Sequence, residues 1–204
     1  MPVIGKIHVV SFYKHTNYEL RTENQELLPN VINTMSDIYT IVSGTNRPGS
    51  NTEKVARHYQ QVLKSKNITP NFLTLEGWKY VDKTPEFVQL ENDILVPTSK
   101  FIFIVPEYNG SIPGVLKLMF DISDYKKTWW GKKALLTGVA TGRGGNLRGL
   151  EHLTSILHYL RVVVHPNKLP ISLVHNLMDG STGDFHDAGT LRAIEMQIDE
   201  FLQF

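Results

Sequence analysis

Nine consecutive residues, Gly44-Thr45-Asn46-Arg47-Pro48-Gly49-Ser50-Asn51-Thr52, set two glycines, a proline, one arginine and five small polar side chains between an apolar run and a helical pattern. Hydroxyls, backbone N–H groups and a guanidinium are the donors that surround an anion, and a helix head adds free N–H groups and its positive dipole end. Three anions compete. A nucleoside triphosphate loop requires G-x-x-x-x-G-K-[ST], with lysine on the terminal phosphates; Gly44 and Gly49 keep that spacing, but Ser50 stands in the lysine's place. A dinucleotide loop requires G-x-G-x-x-G, which the stretch lacks. A phosphomonoester cradle requires only what is present: donors from Thr45, Arg47, Ser50 and Thr52, and glycines that let the backbone turn close to the phosphate. Ser50 also opens a capping box with Glu53, and a hydroxyl can accept from a helix amide while donating its proton to a phosphate oxygen.

Two further loops carry related chemistry. After Phe101–Val105 the chain reads PEYNGSIPG: Pro106 stops a ladder, Asn109 and Gly110 form a turn, and Pro113 restarts the chain near the next helix. Glu107, Tyr108 and Asn109 add a carboxylate, an aromatic ring and an amide at that strand's carboxyl end. After Lys133–Ala140 comes TGRGGNLRG, whose glycines at 142, 144 and 145 serve a turn or aim backbone N–H groups into a shared crevice. Three such loops after three neighbouring strands favour one composite site over three unrelated turns.

The elements that must position these loops follow from periodicity. IYTIVSG, NFLTLEG, FIFIVPEYN, KALLTGVAT and VVVHP (Val162–Pro166) read as strands, three of them apolar nearly throughout, as strands covered on both faces are. Helical stripes lie between them at Val55–Leu63, Val115–Ile122 and Leu150–Leu160, with a last one at Leu191–Leu202 and a weaker one at Glu86–Leu95. Strand and helix in alternation predict an α/β domain, a doubly wound five-stranded parallel sheet of flavodoxin-like order 2-1-3-4-5 with helices on both faces. The crevice outside the carboxyl ends of the first and third strands is then the ligand site. Residues 1–34 break the rhythm and read as a peripheral arm or an upstream extension, with the domain occupying 35–204.

Composition narrows the partners. The net charge of +1 comes from 21 basic and 20 acidic residues spread along the chain, which argues against nucleic acid and anionic membrane. The chain has no cysteine, excluding thiolate metal sites and cysteine nucleophiles and fitting the cytoplasm. No apolar run has the roughly 18 residues of a membrane span, and the amino-terminal apolar patch, broken by Lys6 and His8, does not read as a secretory leader. His152, His158 and His165 lack metal-ligand spacing. Trp129 and Trp130 wall a pocket or pack inside, and Asp179–Gly189 is a loop before the last helix.

SGTNRPGSNTEKVA, VPEYNGSIPGVLK and ATGRGGNLRG, in that order and spacing, resemble the three signature segments of the NAD(P)H-dependent FMN reductase family, which includes chromate, quinone and azo-dye reductases. The resemblance covers about residues 36–204. It implies one non-covalent FMN, NADPH or NADH as donor, a small-molecule electron acceptor such as a flavin, quinone, azo compound or metal oxyanion, and a homodimer or homotetramer. By position, Thr45, Arg47, Ser50 and Thr52, with Asn51 beside them, would hold the FMN phosphate; Pro106, Glu107, Tyr108 and Asn109 would line the ribityl chain and ring edge. Thr141 and Gly142, with Gly145 behind, would face the pyrimidine end, where backbone donors favour developing negative charge. The chain departs from the family pattern at Leu118–Ile122, where asparagine, alanine and an Asp-Trp pair are usual, and at Thr141, usually serine. A flavodoxin-like electron carrier and a flavin-binding module without turnover are the competing classes; the near-zero charge argues against the first.

Overall fold

The chain is described here by a computed structural model covering residues 37–204; the arm expected at residues 1–34 lies outside them. Alternating runs form β1 (Tyr39–Ser43), α1 (Asn51–Ser65), β2 (Asn71–Thr74), α2 (Pro85–Leu90), β3 (Lys100–Pro106), α3 (Gly114–Ile122), α4 (Tyr125–Trp129), β4 (Lys133–Val139), α5 (Leu147–Tyr159), β5 (Val163–Val164), β6 (Leu169–Ile171) and α6 (Ala188–Gln203). All strands pair in parallel in the order β2-β1-β3-β4-β5, with β6 also on β4. Ile41 lies beside Ile102 and Ile102 beside Leu135, so the central strands present aligned apolar rows.

Alternate residues serve opposite faces, as the period of a strand requires. Ile41, Ile102, Ile104 and Leu135 meet Val55, Tyr59 and Leu63 of α1 and Ile194, Ile198 and Phe201 of α6. Val42, Phe101, Phe103, Val105 and Leu136 meet Leu116, Met119 and Phe120 of α3 and Leu150, Leu153 and Leu157 of α5. Both faces are therefore covered, which explains why β1, β3 and β4 are apolar almost without interruption. Lys100, buried at the opposite end of the sheet from the three loops, donates to the carbonyls of Phe201 and Leu202 and pairs with Asp37 at 2.9 Å, placing a cation at the negative end of α6.

Two elements differ in detail from the sequence expectation. The weak helix over Glu86–Leu95 is α2 with Thr84 as N-cap and Pro85 in its first turn, continued by a π-helical turn over Glu91–Leu95. Glu91 is buried there, accepting from the Thr128 hydroxyl at 2.8 Å and from the Asp124 amide and pairing with Lys83 at 2.9 Å. It thereby pins α4, a single-turn helix too short to show a period. Trp129 on α4 is fully buried, its ring centroid 5.0 Å from Phe101 and 4.9 Å from Phe120. Trp130 lies outside under the Arg161 guanidinium, 4.0 Å from the ring centroid. Trp129 is thus core packing.

The fifth strand is the second departure. Val162–Pro166 does not run on as one strand: β5 pairs Val163 and Val164 with Lys133 and Ala134, and β6 pairs Leu169 with Thr137 further along β4. Between these points the outer chain spends two more residues than β4 does. Pro166 follows His165, whose N–H still reaches the Ala134 carbonyl at 2.8 Å; the next amide, Asn167, turns back to the His165 ring instead. Gln197 of α6 fills the gap, its Nε2 donating to the Leu136 carbonyl at 3.0 Å and the Asn167 carbonyl at 2.8 Å. Its Oε1 accepts from the Tyr59 hydroxyl at 2.6 Å and from Thr137 Oγ1 at 3.0 Å, so every polar atom of this fully buried amide is engaged.

Candidate functional site

The anion loop lies where expected, between β1 and α1. Ser50 is the N-cap, extended at φ −69° and ψ 149°, and its Oγ accepts from the Glu53 amide at 3.1 Å. The reciprocal half of the capping box is not made, because the Glu53 carboxylate pairs with Arg57 at 3.0 Å. The Lys54 amide takes the Ser50 carbonyl, and the N–H groups of Asn51 and Thr52, at the helix head, have no partner among the described residues. Thr45, only 1% exposed, has its Oγ1 2.6 Å from the Tyr108 phenolic oxygen, and accepts at 3.3 Å from the Arg47 amide. The exposed Arg47 guanidinium lies over the same Tyr108 ring, 4.3 Å from its centroid. The first loop is therefore tied to the second through one side chain.

The second loop is a two-residue hairpin. Tyr108 and Ser111 exchange backbone hydrogen bonds of 2.9 and 3.1 Å, and Asn109 and Gly110 both have positive φ, 52° and 78°. Two left-handed residues in succession define the tight turn that Asn-Gly favours. His152 Nδ1 of α5 lies 2.9 Å from Ser111 Oγ and supports the hairpin from behind.

The third loop, Thr141–Asn146, is held by the sixth strand. The Ala140 amide donates to Ile171, Val174 to Ala140 and Leu173 to Gly142, while Ser172 Oγ donates to the Arg143 carbonyl at 2.8 Å. Gly145 has φ +56° and packs so closely on Pro170 that an added Cβ would lie 2.6 Å from the proline Cβ. Gly138 on β4 is equally constrained, since a Cβ there would meet the Gly145 carbonyl at 2.2 Å. Asn146, buried and left-handed at φ 65°, precedes α5 and donates through Nδ2 to the Val105 carbonyl at 2.8 Å, joining this loop to the end of β3.

Together the loops enclose a cleft of about 230 Å³ over the carboxyl ends of β1, β3 and β4. Nine of the twelve residues expected from sequence line it: Thr45, Arg47, Ser50, Asn51, Thr52, Pro106, Glu107, Tyr108 and Thr141. Asn109, Gly142 and Gly145 do not; the first is an exposed turn residue and the last a packing position behind the loop. The sequence reading missed Pro48, Val139, Ala140 and Val174 in the lining, and Asn146 as the link to β3. The cleft has two ends of different character: donors and a cation at the head of α1, and Val139, Ala140 and Val174 toward β6.

Beyond α1 a separate hollow of about 290 Å³ is lined by Glu53, Lys54, Arg57, His58 and the 182–184 loop. That loop turns on Asp179, whose carboxylate accepts from the Ser181 hydroxyl and from the Thr182 and Ser181 amides, holding its pKa down to about 2. A depressed carboxyl stabilises the turn above its unperturbed value of 3.8, and that stability is lost as pH falls toward 2. The Ser181 and Thr182 amide resonances are expected to titrate together with a midpoint near 2; a midpoint near 3.8 would show that Asp179 does not hold the turn.

A doubly wound parallel sheet with a cleft at its switch point, polar at one end and apolar at the other, defines a flavodoxin-like fold with a candidate ligand site. More closely, the chain belongs to the NADPH-dependent FMN reductase family, whose model matches residues 38–176. It is accordingly an FMN-dependent oxidoreductase with NADPH as electron donor. It is 26% identical over 132 residues to a 2-hydroxy-1,4-benzoquinone reductase of a Burkholderia species, covering 61% of this chain and 72% of that protein. To the quinone reductase of Escherichia coli it is 32% identical over 108 residues, covering 50% of this chain and 56% of that one. In fold it resembles FerB, a flavoenzyme NAD(P)H:(acceptor) oxidoreductase from Paracoccus denitrificans, with a TM-score of 0.70 at 21% identity over 82% of this chain and 96% of that one.

Proposed function

We propose that the cleft holds FMN with its phosphate at the head of α1 and its ring toward Val139, Ala140 and Val174, and that the enzyme reduces quinones. The observation that carries this reading is the division of a single cleft into a donor-rich end and an apolar end. Thr45, Arg47, Ser50 and Thr52, with the free amides of Asn51 and Thr52, suit a compact dianion. Pro106, Glu107 and Tyr108 flank the ribityl chain and ring edge, with Asn109 in the turn beyond them, and Thr141, with Gly142 and Gly145 outside the lining behind it, brings its loop's backbone donors to the pyrimidine end. When bound, FMN supplies the hydride chemistry, and the chain supplies placement and access.

Quinones stand first among acceptors because the relatives named above are quinone reductases. Flavins, azo compounds and metal oxyanions are further candidates of the same redox class. The reading includes a homodimer or homotetramer in the cytoplasm, with either nicotinamide nucleotide as donor; among the described residues no helix is long and apolar enough to cross a membrane. The test is optical. Purified protein should be yellow, bleach anaerobically with NADPH or NADH, and recover its colour on addition of benzoquinone. A colourless protein that takes up no added FMN sinks the reading, and a yellow one that neither nucleotide bleaches restores the module without turnover.

A further inference from the structure

We propose that Tyr108 is a positioning residue for the phosphate cradle, and that through Thr45 and Arg47 it sets the preference of the cleft for phosphorylated over unphosphorylated flavin. The inference rests on the reading that the cleft holds FMN phosphate at the head of α1, and it gives Tyr108 a task besides lining the ring edge.

A threonine hydroxyl has one proton to donate and two lone pairs to accept with. Thr45 Oγ1 already accepts from the Arg47 amide at 3.3 Å, and the Tyr108 phenol lies 2.6 Å away. With an anion in the cleft, the phenol donates to Thr45, both lone pairs are filled, and the only remaining role for Thr45 is to donate its own proton to the anion. Thr45 is 1% exposed, so its hydroxyl has few partners besides these two groups and whatever occupies the cleft it lines. The same ring carries the Arg47 guanidinium on its face at 4.3 Å, which restricts an otherwise exposed side chain while leaving its in-plane N–H groups for phosphate oxygens. Donors committed in advance need no reorganisation when a dianion arrives, and they offer nothing to a ligand that lacks the phosphate.

The experiment compares FMN with riboflavin, titrated into flavin-free protein and followed by quenching of flavin fluorescence. Tyr108→Phe keeps the ring under Arg47 and removes the phenol. It should weaken FMN about tenfold, the size of one charge-assisted hydrogen bond network losing a member, and leave riboflavin affinity within a factor of about two. Thr45→Val should produce a similar selective loss, and the double variant should be no worse than either single one, since both remove the same link. Equal losses for the two flavins would show that Tyr108 acts at the ring or ribityl chain and would overturn the proposal while leaving the flavin reading intact, as would additive losses in the double variant. Failure of the unaltered protein to bind either flavin would overturn both.

Discussion

Arg47→Ala should weaken FMN binding by about 100-fold, with the melting of the flavin-free protein shifted by no more than about 2 °C. Arg47 is the cation of the cleft's polar end, and a guanidinium on a phosphate makes charge-assisted, frequently paired hydrogen bonds. Its side chain is exposed and contributes to the flavin-free fold chiefly by lying over the Tyr108 ring, so its removal costs little stability. Arg47→Lys should fall between the two, keeping the charge and losing the planar fork. The check is a pair of measurements on each variant, a dissociation constant from fluorescence quenching and a melting curve without flavin. An unchanged dissociation constant in Arg47→Ala would place the phosphate elsewhere.

Gln197→Leu is expected to act in the opposite way, on the fold and only through it on the cofactor. The substitution is close in volume but strips partners from the carbonyls of Leu136 and Asn167 and from the hydroxyls of Tyr59 and Thr137. The two hydroxyls, 2.7 Å apart, can still bond to each other. The carbonyls cannot, and leaving that of Leu136 buried and that of Asn167 part-buried without partners costs about 2–4 kcal/mol, or about 10 °C in melting temperature for a domain of this size. Urea denaturation checks the first figure. A loss below about 1 kcal/mol would mean that the interrupted edge closes its own ladder without the side chain. Because β6 and the turn after it hold the third loop, flavin affinity should fall along with stability.

The contrast between these two residues also shows what a sequence makes legible. The three loops could be found because glycine and proline punctuate apolar runs, and because a parallel sheet brings the carboxyl ends of neighbouring strands to one edge. Arg47 is one of those loop residues and was visible. Gln197 was not: it stands nearly two turns from the end of an amphipathic helix, where a polar residue normally faces water, and its burial follows from a gap in a strand far away in sequence. The gap itself was hidden, since β6 has only three residues, one of them Pro170, and acquires strand geometry from its pairing with β4. The link between Thr45 and Tyr108 joins residues 63 positions apart, which no local pattern reports. In sequence Asn146 belongs to a glycine-rich turn, whereas in the fold its amide ties that turn to the end of β3. Val174 entered the cleft only because the chain after β6 folds back on Ala140.

The broken fifth strand also governs how this molecule meets its neighbours. A sheet ends in a row of unpaired donors and acceptors, and a long straight row is a template on which another chain can align and polymerise. Here the row is two residues of β5, then Pro166, then the three residues of β6 with Pro170 among them, so neither segment offers an extended set of amides. The Leu136 carbonyl exposed by the interruption is already occupied from within by Gln197. The irregularity that interrupts the sheet therefore makes this edge a poor template for another strand, and replacing Pro166 and Pro170 would return two backbone amides to it.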